Sequence, residues 1–416
     1  MDALQSKRRL VVGALFLLSI ILYVDRVCIS TAKQDVSRDL ALSNEQMGWV
    51  FGVFTLGYAL AQVPSGFLID RFGPRLILAL IVAVWSIFTG LTGLVGGFVA
   101  LIVIRFIFGI GEAGAFPGAA RVFYSWLPTG QRGLANGLIF SGSRLGGALA
   151  YLVLPAMIIA LGWRSTFFTL GGLGVVWAVL WYVWFRDQLP TEQTQGNQIQ
   201  EQAKPIDYAA IYRGRSIWLT MVQYFASNFT FFICLSWMLP YLQDQFSLSA
   251  IEAGQYAMVP LIFAAASQWT SGWAVDRLYA SAKWIGWSRR LPAALGFTLA
   301  AIGLALVTQV DSPFLVVTCF TLAVFGADMT ISPSLTQCVD LGGKGAGTIS
   351  GSMNMIGNIG AFLSSISFPY LYGWTGTATT YFVLAALLNI LGVFCWLAIK
   401  PVAAEEVTLK PIASGG

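Results

Sequence analysis

Histidine is absent from the 416 residues, and only 10% of them are Asp, Glu, Lys or Arg. The first absence removes the usual metal ligand and the side chain that ordinarily changes charge near neutral pH, so any proton traffic falls to carboxyl groups. Five cysteines (Cys28, Cys234, Cys319, Cys338, Cys395) sit in or at the ends of apolar runs, with no metal-ligand spacing and no implied disulfide framework. No Gly-x4-Gly-Lys-Ser/Thr loop is present, so ATP is not expected to drive the protein. The lone glycosylation sequon, at Asn228, lies within an apolar run. No nucleophile–base constellation suggests an enzyme, no sizeable soluble domain suggests a sensor, and no cofactor is expected. A net charge of +5 scattered over loops does not suggest nucleic acid.

Apolar sequence fills the space. Hydrophobic residues make up 57% of the chain, which is too many for a soluble domain and enough for about twelve membrane helices with short loops. The first apolar run has no cleavage site of the signal-peptide kind. Apolar segments run over 10–30, 46–69, 76–94, 98–122, 134–160 and 165–185, then over 216–243, 251–275, 291–309, 313–335, 347–372 and 378–399. The expected fold is therefore an all-α polytopic membrane protein. Its parts are an N-terminal six-helix half (1–185), a Gln- and Glu-rich cytoplasmic linker (186–215) and a C-terminal six-helix half (216–416).

Basic loop residues, among them Lys7, Arg8, Arg71, Arg75, Arg132, Lys204, Arg277, Lys344 and Lys410, fall on one side of this layout. Only Lys33, Arg38 and Arg164 fall on the other, so both termini and the linker are expected to be cytoplasmic.

The halves echo each other. Gly66-Phe-Leu-Ile-Asp70-Arg71 after the second segment matches Gly272-Trp-Ala-Val-Asp276-Arg277 after the eighth. Glu112 and Pro117 in the fourth match Asp328 and Pro333 in the tenth, at the same spacing. A repeat in the same order implies a pseudo-two-fold axis along the membrane normal, with a substrate site between the halves near the midplane.

Buried charge marks that site. Arg105 and Glu112 are seven residues apart and share one helix face, roughly 10 Å apart along the axis. Charge in a bilayer costs at least about 2.5–3.5 kcal/mol, so such groups need partners, water or a task. Arg26 and Tyr23 share a face of the first segment, and Asp25 points about 100° away. A guanidinium forks two donors onto a carboxylate or phosphate. A permanent salt bridge from Arg26 to Asp25 or Glu112 is the structural alternative, and the two readings are compatible if substrate and acid compete for the arginine. Tyr58 and Gln62, together with Ser350, Asn354 and Asn358, form polar stripes that suit either substrate hydroxyls or interhelical bonds. Gln223, Tyr224 and Asn228 pose the same choice. Asp328, the match of Glu112 in the repeat, is an additional candidate as a second proton site or as a partner of Arg144 or a neighbouring donor; Arg144 would hold a second anionic group of the substrate or serve as that structural partner.

Gly66-Phe-Leu-Ile-Asp70-Arg71-Phe-Gly73-Pro-Arg75 resembles the loop signature of the major facilitator superfamily. Tyr23-Val-Asp25-Arg26, Arg105-x3-Gly109-x-Gly111-Glu112-Ala-Gly-Ala-Phe-Pro117 and Gly162-Trp163-Arg164 resemble its anion:cation symporter branch. That branch includes bacterial galactonate, hexuronate and glucarate carriers. The resemblance implies a proton-coupled symporter of a small organic anion such as a sugar acid, in a bacterial inner membrane and acting as a monomer. Anion exchange, including exchange of organophosphate, is the alternative. By position, the resemblance implies proton coupling at Asp25 and Glu112 and substrate or coupling roles for Arg26 and Arg105. It implies sugar-acid contacts at Tyr23 and Tyr58. Ser143 stands where some relatives have glutamine. Gly66, Asp70, Arg71 and Arg75 would form a gate holding the cytoplasmic helix ends together.

Overall fold

Long apolar runs leave backbone groups without water, so each run must satisfy its own hydrogen bonds as a helix. The computed structural model describes residues 2–127, 129–187, 208–281, 283–342 and 346–400. Most of the expected linker, and Lys204, Lys344 and Lys410, lie outside the described residues, as do the side chains of Asp70 and Arg132.

Among the described residues, twelve spans follow one another in two pseudo-symmetric six-helix halves. The first half comprises Asp2–Thr31, Asn44–Phe72, Pro74–Thr92, Phe98–Glu112 with Ala115–Trp126, Thr129–Leu161 and Trp163–Trp184. The second comprises Arg215–Ser236 with Met238–Phe246, Ala250–Tyr279, Arg290–Val307, Pro313–Met329 with Ile331–Gly342, Ala346–Thr375 and Thr379–Ala398. Ten stretches are long and apolar enough to cross a membrane. The eighth and eleventh spans have the length, at 30 residues each, but a more polar composition.

The packing repeats with the sequence. First packs on fifth, second on fourth and third on sixth; seventh packs on eleventh, eighth on tenth and ninth on twelfth. The halves meet where the second span packs on the eleventh and the fifth on the eighth. This explains the polar composition of the eighth and eleventh spans: they face protein and a cavity more than lipid. Matching capping boxes start the second and eighth spans, Ser43 with Gln46 and Ser249 with Glu252.

Sequence periodicity suggested unbroken fourth, seventh and tenth segments, yet each is interrupted. The fourth breaks at Ala113–Gly114, just after Glu112, and the tenth at Thr330, just after Asp328. Proline accounts for both breaks. Pro117 and Pro333 have no N–H to offer the carbonyls four residues earlier, Ala113 and Met329. The Met329 carbonyl instead accepts from the Ser271 hydroxyl of the eighth span. The seventh breaks at Trp237, before Pro240.

Two close approaches set the geometry. A Cβ at Gly109 would lie 2.1 Å from the Phe54 carbonyl oxygen, so the second and fourth spans touch backbone to backbone. A Cβ at Gly48 would lie 2.8 Å from Pro369 Cγ, so the second and eleventh spans touch near one end. At the other end, a Cβ at Gly66 would meet nothing within 4 Å.

Gly109→Ala is expected to force the second and fourth spans apart and cost about 1–3 kcal/mol, as overpacking does. Gly172→Ala, where a Cβ meets nothing within 4 Å, is the control and should be neutral. Melting temperatures of the purified proteins in detergent check this, and equal melting of both variants would contradict the contact.

Candidate functional site

A cavity of about 700 Å³ lies between the halves. Tyr23, Arg26, Tyr58, Gln62, Arg144, Tyr224, Asn228, Asp328, Ser350, Asn354 and Asn358 line it. It extends past Gly66, Ala120, Leu335 and Thr348 toward the end that carries both described chain ends. The opposite end is closed. There Lys33 Nζ meets Asp244 Oδ2 at 3.2 Å and Gln34 Nε2 donates to Asp244 Oδ1 at 3.1 Å. Trp49 Nε1 donates to Tyr370 Oη at 3.3 Å, and Ser30 Oγ to the Ser236 carbonyl at 2.8 Å. Among the described residues, the hydrogen bonds we find between the halves lie at the level of the cavity charges or beyond them toward this closed end.

Two arginines face the cavity, each tied to an acid. Arg26 Nε donates to Glu112 Oε2 at 2.6 Å. Its guanidinium carbon stands 4.7 Å from the Tyr58 ring centroid, 5.0 Å from that of Tyr23 and 5.1 Å from that of Phe54. An aromatic cage of this kind stabilises a desolvated cation. Arg144 Nε and Nη2 donate to the two oxygens of Asp328 at 2.6 and 3.0 Å, and Nη1 donates to Tyr23 Oη at 2.7 Å. Gln268 Nε2 also donates to Asp328 Oδ2, at 3.0 Å.

Behind Arg26 lies a second layer. Glu112 is fully buried, and Asp25 is 1% exposed with Oδ2 accepting from Trp85 Nε1 at 3.1 Å. Arg105 packs between the Phe54 and Phe108 rings, at 5.1 and 4.7 Å, beside a pocket of about 20 Å³ that Arg26 also lines. Asp25, Glu112 and Arg105 interact electrostatically. Several buried atoms here make no hydrogen bond within the protein: Arg26 Nη2, Arg105 Nε, Glu112 Oε1, Asp25 Oδ1 and Gln62 Oε1. The layer is therefore charged, buried and incompletely satisfied by protein groups, and it reaches the cavity through Arg26.

Most of the expected residues come together, with adjustments. Tyr23, Arg26, Tyr58, Gln62, Arg144, Asp328, Asn354 and Asn358 line the cavity, whereas Asp25, Arg105 and Glu112 stand one layer deeper. Ser143 does not line it: its buried hydroxyl donates to the Ile139 carbonyl at 3.1 Å, because the fifth span presents Arg144 to the cavity instead. Gln223 belongs to an interhelical network with Ser334 and Trp396. Gly66 lines the open end, and Arg71 is exposed. Arg75 stays within its own half, its N–H on Asp187 Oδ1 at 2.7 Å and its Nε on the Tyr182 carbonyl at 3.0 Å. Trp85, Gln268 and Phe231, whose ring lies 3.8 Å from the Arg144 guanidinium carbon, were not foreseen. They sit on other spans, and nothing local in the sequence links them to these charges.

A family profile described as Major Facilitator Superfamily matches residues 15–365. The chain belongs to the major facilitator superfamily. It is a membrane carrier of that fold rather than an enzyme. It is 29% identical to a probable sulfoacetate transporter, SauU, of Cupriavidus necator, over 96% of this chain and 95% of the relative. It is 30% identical to a probable L-galactonate transporter of Escherichia coli, over 90% and 84%. A hexuronate transporter of Bacillus subtilis is 29% identical, over 92% and 93%. Among solved structures it resembles a D-xylose-proton symporter, with a TM-score of 0.76 at 16% identity over 94% of this chain and 97% of that one. An inward-facing, occupied bacterial homolog of the lysosomal transporter Spinster gives a TM-score of 0.75 at 20% identity, over 94% and 96%.

Trp85→Phe keeps a ring but removes the donor to Asp25. The expected cost is about 1–3 kcal/mol, as for leaving a buried acceptor unsatisfied. The same change in an Asp25→Asn background should cost less than half as much. A double-mutant cycle on melting temperature measures the coupling, and simple additivity would show that Trp85 does not hold Asp25.

Proposed function

We propose that this carrier is a proton-coupled symporter of a small organic anion, a sugar acid by preference, working by alternating access. One observation carries the reading: Arg26 lines the cavity while its Nε holds the buried Glu112, and its own buried Nη2 makes no hydrogen bond within the protein. An anion arriving in the cavity competes with Glu112 for the same guanidinium. A buried carboxylate that loses its cation is stabilised by taking a proton. Anion and proton then travel together, with Asp25 in the same charged layer as a second carboxylate. Arg105 stands behind as a fixed positive charge that favours an anion in the cavity. Tyr58, Gln62, Asn354 and Asn358 offer donors and acceptors to hydroxyl groups. The named cargoes of the relatives, sulfoacetate, L-galactonate and hexuronate, are small organic anions and support the class.

The halves, 1–185 and 216–416, are the moving bodies. By the distribution of basic loop residues, the open end is cytoplasmic and the closed end faces outward, in a bacterial inner membrane. The Arg71 and Arg75 region then belongs to the cytoplasmic gate, disengaged in an inward-open carrier. The unit of transport is the monomer, since the cavity is completed within one chain.

In proteoliposomes with an imposed inward proton gradient, galactonate or a related sugar acid should accumulate, and accumulation should collapse when the gradient is dissipated. Glu112→Gln should abolish accumulation while leaving anion binding, and Asp25→Asn should reduce or uncouple it. Uptake that ignores the gradient and needs a counter-anion inside would replace this reading with exchange.

The outer closure is testable separately. Asp244→Asn removes the charge from the Lys33 contact, a partly exposed pair of roughly 1 kcal/mol, so the outward-open population should rise by up to about fivefold. Labelling of a cysteine placed at Ser30 by an impermeant maleimide reads this. Unchanged labelling would mean that Lys33 and Asp244 do not hold the outer end shut.

A further inference from the structure

The Arg144–Asp328 pair has features that a structural tie does not require. It crosses the halves, with Arg144 on the fifth span and Asp328 on the tenth, and both residues line the cavity. Replacing a buried ion pair by apolar packing is often neutral or stabilising, so stability alone does not account for it. Its design repeats that of Arg26 and Glu112: an arginine facing the cavity, bonded at 2.6 Å to a buried acid that sits at a helix break. Glu112 and Asp328 also occupy matching positions of the internal repeat.

Tyr23 stands between the two pairs. Its ring centroid is 5.0 Å from the Arg26 guanidinium carbon and 5.6 Å from that of Arg144, and its hydroxyl accepts from Arg144. Two cations thus flank one side chain on the wall of one cavity, at a separation that a short chain with an anionic group at each end can bridge. A single carboxylate occupies only one of them.

We propose that Arg144 and Asp328 form a second anion subsite and that the preferred cargo is a small dianion, with one anionic group on Arg26 and the other on Arg144. The proposal rests on the organic-anion reading above and narrows it. Three arginines (Arg26, Arg105, Arg144) and three acids (Asp25, Glu112, Asp328) balance when all are ionised. A dianion entering this set is neutralised by two protons, one on Glu112 and one on Asp328. When cargo takes Arg144, Asp328 loses the arginine's hydrogen bonds and keeps that of Gln268. The same displacement severs a bond between the halves, so occupancy of the second subsite also frees them to rock.

The test compares cargoes that differ only in the second charge: galactarate with galactonate, and succinate with butyrate. Binding to the purified full chain is read by calorimetry. For wild type, a charge-assisted fork should favour the dianion of a pair by about tenfold or more. The double variant Arg144→Gln/Asp328→Asn removes the subsite without leaving a buried charge unpaired. Its melting temperature in detergent reports its folding, and it should lose the preference for the dianion. Proton flux measured with cargo flux in wild-type proteoliposomes should give two protons per dianion. Wild type that binds a monoanion with no gain from the second charge, or a double variant that keeps the preference, overturns the proposal alone. Wild type that binds no member of either pair overturns the organic-anion reading along with it.

Discussion

An arginine inside a bilayer has to be neutralised where it stands, and the bond from Arg26 to Glu112 is where this chain does so at its centre. Much of the N-terminal half supports that contact. The first span supplies Arg26, and the second supplies Phe54 and Tyr58 to the aromatic cage. The fourth span must come close enough to bring Glu112 within 2.6 Å, and a missing Cβ at Gly109 permits that approach. The third span adds Trp85 for the neighbouring Asp25. The pair is not saturated: one oxygen and one nitrogen of it make no hydrogen bond within the protein. A partly satisfied buried network is a poor stabiliser and a good place for exchange of partners.

The second half reproduces the plan with different wiring. Asp328 stands where Glu112 stands, and a proline five residues on breaks the helix beside each. Yet Glu112 takes its arginine from the same half, while Asp328 takes Arg144 from the other. Duplication set the positions of the acids; the placement of the arginines gave one acid an intradomain partner and the other an interdomain one. A pseudo-symmetric scaffold thereby carries an asymmetric site.

The fold was legible because hydrophobic length and loop charge act locally, and each can be counted along the chain. That Arg26, Tyr58 and Asn358 line the cavity was legible for a related reason: a polar side chain within an apolar run has few places to go. Depth was not legible. Periodicity puts Arg105 and Glu112 on one face but does not say that Arg26 stands between them and the cavity. Ser143 was expected at the site only by resemblance, and it does not line the cavity because one residue is 100° of rotation on a helix and the large charged neighbour Arg144 takes the inward position. Trp85 and Gln268 carry no local mark at all; their role follows from spans that the chain brings together over 60 residues in each case. The bends at Pro117 and Pro333 were legible, because their missing N–H groups leave a carbonyl free four residues back.

The second span touches the eleventh tightly at Gly48 and is clear of other atoms at Gly66. Under the alternating access proposed above, contact at one end and clearance at the other suit it to act as a lever pivoted near the closed end. Its attachment to the fourth span, backbone against backbone at Gly109, leaves no layer of side chains that could shear. Any swing of the lever therefore carries Phe54, Tyr58, Gln62 and Glu112 as one body. Of the charged layer, Arg105 and Glu112 belong to that arm and Asp25 to the first span, so in the alternating access proposed above a swing of the arm would shift Glu112 relative to Arg26.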